Sequence, residues 1–171
     1  ESGMSLARLK LVVINSLLSP RYYLQHVAVD QVNNYIYTAG SNSSYQAVYV
    51  DAFTYSASTN TLTLRSTGTT SGELTWAATY GLTANYRGVA VGLCSGYWGF
   101  KVYTFDGTTL IEKAMNNWMI GSPKLAMGIT FRKGTNSDDI LLAQNTLDNK
   151  GRLVSFSWDG STTITNGVLG D

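Results

Sequence analysis

The sequence has little charge and few of the residue types that carry chemistry. Charged residues make up 13% of the 171 residues, and twelve Lys and Arg nearly balance eleven Asp and Glu. The basic residues are scattered and form no stripe, so we expect no nucleic-acid partner. A single cysteine, Cys94, excludes an intramolecular disulfide, and with a single histidine, His26, we expect no metal site.

Long hydrophobic runs and phosphate-binding glycine motifs are also missing. The segment "LKLVVINSLL" at 9–18 is too short for a transmembrane helix and has no small-residue cleavage pattern, so we expect no membrane span. The glycines of "GLCSGYWG" at 92–99 do not stand between a strand and a helix, so the sequence predicts no cofactor.

Aromatic, Thr, Ser, Asn and Gly residues make up much of the rest of the sequence. Aromatic residues make up 12% of the chain, and apolar residues alternate with period two instead of following a helical period. These features predict an all-β protein, and 171 residues are enough for one unit spanning 1–171.

A β-hairpin pattern occurs three times along the chain. Its copies are "VDAFTYSASTNTLTL" at 50–64, "VYTFDGTTLI" at 102–111 and "VSFSWDGSTTIT" at 154–165. In each copy an aromatic pair at alternate positions precedes a turn, and a Thr, Leu or Ile strand follows. Two residues at alternate positions of a strand share a face, so we expect each pair to pack against a neighbouring sheet.

Two further strands precede each hairpin. Their centres are Ile36, Val89 and Ile140, spaced by 53 and 51 residues. Each repeat therefore contains four short antiparallel strands, and we place the repeats at approximately 21–69, 70–120 and 121–171. Within the hairpins, Asp106 and Asp159 stand where an Asp-Gly turn needs them structurally.

An extra strand is predicted at 8–15, because residues 9–29 align with residues 110–130 at a constant offset of 101. This segment matches a fourth strand that has no preceding strands in the chain. We expect its neighbour to come from another polypeptide or from the far end of this chain.

The "VYTFDGTTLI" and "SFSWDGSTTIT" segments, repeated within four-stranded units of about fifty residues, resemble blades of an irregular β-propeller that is of neither WD nor kelch type. Lactonase-like proteins and viral or surface proteins contain such blades. The resemblance implies about three blades plus the N-terminal strand, forming part of a larger ring, because propellers typically have four to eight blades. A longer polypeptide, a second copy or an open stack would each account for the missing blades.

Aromatic residues in the connecting loops are the candidate ligand-binding residues. We select Arg21, Tyr22, Tyr45, Tyr97 and Trp98 at one edge of the sheets, where flat amphipathic side chains suit a glycan or protein partner. Trp76 and Trp118, near repeat boundaries, are expected to wedge between blades.

No catalytic residue is predicted. His26 is expected to be a polar residue near a strand end, and Asp138-Asp139 is expected to lie in a solvated turn, with a calcium loop as the alternative. Two functions remain open: a non-catalytic binding or assembly module, and a fragment of a propeller hydrolase or lactonase with its site at the central channel. The Thr-, Ser- and Asn-rich composition favours an extracellular, virion or cell-surface location.

Overall fold

The computed structural model describes residues 23–44, 47–70, 78–94, 99–116, 125–134, 137–145, 151–161 and 164–168. These residues form twelve β-strands and no helix, so the all-β prediction is confirmed for this part of the chain. It contains no helix of the length and apolarity that crossing a membrane requires. The predicted strand at 8–15 lies outside the described residues and stays a prediction, as do the repeat boundaries.

The strands form three four-stranded antiparallel sheets, in which strands adjacent in sequence are adjacent in space. The first sheet contains β1 (Tyr23–Asp30), β2 (Tyr35–Ser41), β3 (Val48–Ser56) and β4 (Thr61–Thr70). The second contains β5 (Ala78–Asn85), β6 (Gly88–Cys94), β7 (Gly99–Phe105) and β8 (Leu110–Asn116). The third contains β9 (Leu125–Arg132), β10 (Asp138–Asn145), β11 (Gly151–Trp158) and β12 (Ile164–Val168).

The strand register shows that the three sheets are equivalent. Side chains directly opposite each other on paired strands share a face. We call the leading face of each sheet the one that carries the following opposed pair: Ile36 with Phe53, Val89 with Tyr103, and Ile140 with Phe156. The other face of each sheet is its trailing face. The spacing of these pairs is the one that the sequence repeats predicted.

The sheets stack leading face on trailing face, and each contact contains one apolar cluster. The first cluster joins the trailing face of the first sheet to the leading face of the second, and its buried members are Tyr37, Ala39, Val48, Val50, Ala52, Val89, Val91, Leu93 and Tyr103. The second cluster joins the second sheet to the third through Ala90, Phe100, Val102, Ile140, Leu142, Val154, Phe156 and Trp158. Burying each of the larger side chains contributes roughly 1.5–3 kcal/mol.

The repeated aromatic pairs lie on the leading faces, as predicted. Phe105 packs edge-on against Tyr35 of the first sheet, with ring centroids 4.7 Å apart. Phe156 packs in the same way against Phe100 of the second sheet at 4.8 Å. The prediction that these pairs pack on a neighbouring sheet is confirmed for the second and third copies. The first pair, Phe53 and Tyr55, lies on the face that points away from the second sheet.

The sheets are closest at their first strands and spread apart toward their fourth strands. Strand β1 packs against β5, and β5 packs against β9. Strands β4 and β8, by contrast, make few contacts with each other. Gly81 on β5 permits this approach, because a Cβ there would lie 3.0 Å from the backbone nitrogen of Ile129 on β9. This fan is compatible with a propeller-like fold, although the three described sheets do not close into a ring.

The Asp-Gly turns have the structural role that the sequence predicted. Asp106 Oδ1 accepts hydrogen bonds from the backbone nitrogens of Thr108 and Thr109, each at 2.8 Å. Gly107 has a φ of 95°, a conformation that a side chain rarely tolerates. The hydrogen bonds, that of the Thr108 hydroxyl first, lower the pKa of Asp106 to about 2. The pKa of Asp159 is also lowered, first by its side-chain hydrogen bond with Ser161.

Candidate functional site

The five predicted ligand-binding residues, Arg21, Tyr22, Tyr45, Tyr97 and Trp98, lie outside the described residues. Their role therefore stays a prediction, and the same holds for Trp76 and Trp118. The sequence predicts them for the edge of the sheets that carries the connections from second to third strands and from sheet to sheet. The described residues instead define the opposite edge, which carries the turns from first to second strands. We call it the turn edge.

In the first and second sheets, the first strand ends in a residue whose side chain accepts hydrogen bonds from the turn that follows. Asp30 Oδ1 accepts a hydrogen bond from the backbone nitrogen of Val32 at 2.9 Å, and its Oδ2 accepts one from Asn33 Nδ2 at 2.7 Å. Asn85 Oδ1 accepts a hydrogen bond from the backbone nitrogen of Arg87, also at 2.9 Å. These are Asx turns, which satisfy backbone donors at the tip of a hairpin.

A buried polar cluster joins the turn of the second sheet to the third sheet. Asp138 Oδ2 accepts a hydrogen bond from Asn85 Nδ2 at 2.8 Å and lies 3.1 Å from Arg87 Nε. Asp138 Oδ1 accepts a hydrogen bond from the backbone nitrogen of Gly134 at 3.2 Å. The carboxylate is completely buried, and its charge is compensated by these partners.

The expectation that Asp138 and Asp139 lie in a solvated turn is wrong. Both residues belong to β10, and strand alternation directs Asp138 toward the second sheet and Asp139 toward the trailing face. Asp139 forms an ion pair there with Arg132, whose side chain is 60% exposed. The Gly- and Asn-rich segment before them suggested a loop, but Asp138 is buried in β10, where Arg87 and Asn85 from the turn of the second sheet contact its carboxylate.

A cleft of about 290 Å³ opens at the turn edge, and residues of all three sheets line it. Its lining residues come from the ends of β1 and β5, the turns after them and the loop after β9: Val29, Asp30, Gln31, Val32, Ala84, Asn85, Tyr86 and Lys133. Tyr86 is 43% exposed, and the Arg87 guanidinium carbon lies 5.1 Å from the centroid of its ring. This cation–π contact orients the phenol at the mouth of the cleft.

The acidic groups near the cleft are already used by the fold. Asp30 is the one acidic residue in β1, β5 and β9, and both of its oxygens accept hydrogen bonds from its own turn. Burial raises the pKa of Tyr37 far above its ordinary value, and the Asp30 carboxylate adds to this shift. Tyr37 therefore stays protonated and neutral near pH 7, and it offers no base to a reaction.

His26 has a structural partner. Its Nε2 donates a hydrogen bond to the carbonyl oxygen of Thr79 on β5 at 3.0 Å. The neighbouring Gln25 accepts hydrogen bonds through Oε1 from the backbone nitrogen of Thr79 at 3.2 Å and from its hydroxyl at 2.9 Å. These bonds tie the first strands of two sheets together. Among the described residues, no group of three or more His, Cys, Asp or Glu side chains is arranged to hold a metal ion.

The sequence did contain a signal for the turn edge. Asp30 and Asn85 end the first strands of two repeats, and an exposed residue, Gln31 or Tyr86, follows each of them. Asx residues at the ends of strands predict turns, and the repeat spacing predicts that those turns meet at one edge. The aromatic residues predicted for the opposite edge are the more conspicuous feature of the sequence.

The fold and the site define the described part as an all-β protein built from a repeated four-stranded antiparallel sheet, an arrangement compatible with a β-propeller. The site is a cleft lined by residues of all three sheets, and its one acidic lining residue, Asp30, is engaged in a turn. No protein-family model and no curated protein matches this chain.

Proposed function

We propose that the protein is a non-catalytic binding or assembly module, a section of a propeller scaffold that contacts glycan or protein partners. The observation that carries this proposal is the chemistry of the turn-edge cleft. Its carboxylate, Asp30, is engaged by the turn, whereas Tyr86, Gln31 and Lys133 present groups suited to recognition.

A neutral saccharide unit of a glycan is the ligand class that this cleft favours. The ring of Tyr86 offers a flat apolar surface to the C–H face of a sugar, and the amide of Gln31 and the ammonium of Lys133 can bond to hydroxyl groups. Val29 and Val32 add exposed apolar surface beside them. A cleft of about 290 Å³ suits one or two sugar residues more than a long chain.

The alternative function, a fragment of a propeller hydrolase or lactonase, gains no support from the described first strands. A channel-lining active site needs carboxylates, or His26 beside a carboxylate. His26 instead bonds to a backbone carbonyl, and Asp30 lies at the far end of β1 within its own turn. We extend the proposal to an extracellular, virion or cell-surface setting, in which glycans and partner proteins are encountered.

A titration with neutral mono- and disaccharides, followed by amide chemical shifts in NMR spectra, tests the proposal. We expect saturable shifts at the turns after β1 and β5. Replacing Tyr86 with Ala should weaken binding by roughly two- to tenfold, because an aromatic stacking contact contributes about 0.5–1.5 kcal/mol. The variant Lys133→Gln should also weaken binding, whereas Lys113→Gln on β8 serves as a matched control and should leave binding unchanged.

Two results would contradict the proposal. The first is an absence of saturable shifts with both saccharides and candidate protein partners. The second is turnover of ester or lactone substrates by the purified chain, with loss of that activity in His26→Gln. Saturable shifts with a protein partner alone would keep the binding module and replace the glycan as its ligand.

A further inference from the structure

The turn-edge cleft has two walls, and they are fixed in different ways. One wall is the turn after β1, which places Gln31 against the cleft. This turn is bonded within itself, because both oxygens of Asp30 accept hydrogen bonds from it. The other wall contains Tyr86 from the second sheet and Lys133 from the third. Both of these side chains are exposed, so their positions depend on the residues next to them in the chain.

The residues on either side of Tyr86 contact Asp138 of the third sheet. Asn85 donates a hydrogen bond from Nδ2 to Asp138 Oδ2 at 2.8 Å, and Arg87 Nε lies 3.1 Å from the same oxygen. The Arg87 guanidinium in turn lies over the Tyr86 ring, with its carbon 5.1 Å from the ring centroid. Asp138 therefore holds the cation that orients the phenol.

The residue next to Lys133 is bonded to the same carboxylate. The backbone nitrogen of Gly134 donates a hydrogen bond to Asp138 Oδ1 at 3.2 Å. That N–H belongs to the planar peptide bond between Lys133 and Gly134, so the hydrogen bond also fixes the carbonyl end of Lys133. Gly134 has no room for a side chain, because an added Cβ would overlap the carbonyl oxygen of Ser137. Asp138 thus holds the backbone from which the Lys133 side chain starts.

Asp138 itself lies in tightly packed surroundings. It is completely buried, and its cross-strand neighbour on β11 is the completely buried Trp158. The Trp158 ring lies so close to Gly88 that an added Cβ there would be 3.0 Å from it. The same ring stacks with that of Phe131, with centroids 6.0 Å apart. A side chain on a strand with such neighbours holds its partners more precisely than a loop residue does.

We propose that Asp138 is the positioning residue of the turn-edge cleft: it holds Tyr86 and Lys133 in place for a saccharide that it does not itself contact. This inference rests on the proposed function. Ordering a side chain on binding weakens affinity roughly two- to tenfold, and a side chain that is already held avoids this loss. The contact between the second and third sheets therefore sets the affinity of the cleft.

NMR titration of Asp138→Asn with the neutral disaccharides lactose and maltose tests the proposal. The amide keeps the size of the carboxylate, but it has one acceptor oxygen and no charge, so it cannot hold both Arg87 and Gly134. We expect the dissociation constant to rise roughly two- to tenfold for each side chain that is released. Asp139→Asn is the matched control, because Asp139 also lies in β10 but pairs with Arg132. It should leave the dissociation constant unchanged.

A double-mutant cycle with Tyr86→Ala separates positioning from stability. If Asp138 acts through Tyr86, Asp138→Asn should weaken binding less in the Tyr86→Ala chain than in the unmodified chain. Arg87→Met gives a second cycle that does not depend on the folding of Asp138→Asn, because it leaves the bond to Gly134 in place. Its loss of affinity should overlap with that of Tyr86→Ala and add to that of Lys133→Gln. Additive losses in both cycles with Tyr86→Ala overturn the proposal.

The free chain gives a readout that needs no saccharide. We expect a nuclear Overhauser effect between the Arg87 side chain and the Tyr86 ring, and it should weaken in Asp138→Asn while the amide shifts of β3 stay unchanged. A dissociation constant that Asp138→Asn leaves unchanged overturns the proposal, and the proposed function then stands. If neither disaccharide binds the unmodified chain, the proposed function loses its glycan ligand. In that case an Overhauser effect that persists in Asp138→Asn overturns the positioning role as well.

Discussion

The ion pair between Arg87 and Asp138 should contribute strongly to the stability of the contact between the second and third sheets. Removing one partner of a buried pair costs about 3–5 kcal/mol, because the remaining charge stays buried without compensation. Arg87 is 20% exposed, and Asp138 keeps its hydrogen bonds from Asn85 and Gly134. For Arg87→Met we therefore expect a smaller loss, about 2 kcal/mol in the free energy of unfolding.

This loss should lower the midpoint of thermal unfolding by roughly 4–8 °C for a chain of this size. Urea unfolding at pH 7, followed by tryptophan fluorescence at one protein concentration, measures the loss in the free energy of unfolding. In the double variant Arg87→Met/Asp138→Leu no charge remains buried, so its loss should be about 2 kcal/mol smaller than the sum of the single losses.

The chain contains its own control for this experiment. Arg132 and Asp139 form the neighbouring Arg–Asp pair, but Arg132 is 60% exposed. Arg132→Met should therefore cost at most about 1 kcal/mol, because solvent screens the pair. Equal losses in Arg87→Met and Arg132→Met, or additive losses in the double variant, would refute the argument that burial sets the strength of the first pair.

Three further outcomes follow from the buried rings and the Asp-Gly turn. Tyr103→Phe should stabilise the chain by about 1 kcal/mol in urea unfolding, because the buried hydroxyl has no hydrogen-bond partner among the described residues. A double-mutant cycle of Phe100→Ala and Phe156→Ala should give a coupling of about 0.5–1.5 kcal/mol, because the rings meet edge-on at 4.8 Å; a cycle that is additive would contradict that contact. NMR titration should give Asp106 a pKa of about 2, so its stabilising effect is complete above its unfolded value and is lost as pH falls toward 2; an ordinary pKa would exclude the turn hydrogen bonds.

The repeated hairpins made most of the fold predictable. Alternation at positions such as Tyr103 and Phe105 indicates a strand and a buried face, and repetition at a fixed spacing indicates equivalent sheets. The Asp-Gly turns were predictable because the backbone of a tight turn demands those residues. These features depend on residues close in sequence, so a local pattern is enough to find them.

The candidate site was less predictable because it depends on how neighbouring sheets meet. Asp138 resembles a loop residue in a segment rich in Gly and Asn, and only the placement of Arg87 and Asn85 on another sheet explains its burial. The cleft likewise joins turns that are more than fifty residues apart, at Asp30 and Asn85. No periodicity within one strand contains that information.

The second sheet lies between the other two described sheets, and this position affects which parts of the chain unfold first. It is the described sheet with an apolar cluster on both faces, whereas the first and third sheets each have one. Because the main contacts among the described sheets join sheets that follow each other in sequence, stability should behave as a sum of nearest-neighbour terms, as in linear repeat proteins. A terminal sheet can then detach while the other two stay paired. Amide hydrogens of β6 and β7 should therefore exchange with solvent most slowly, and those of β1 and β12 much faster.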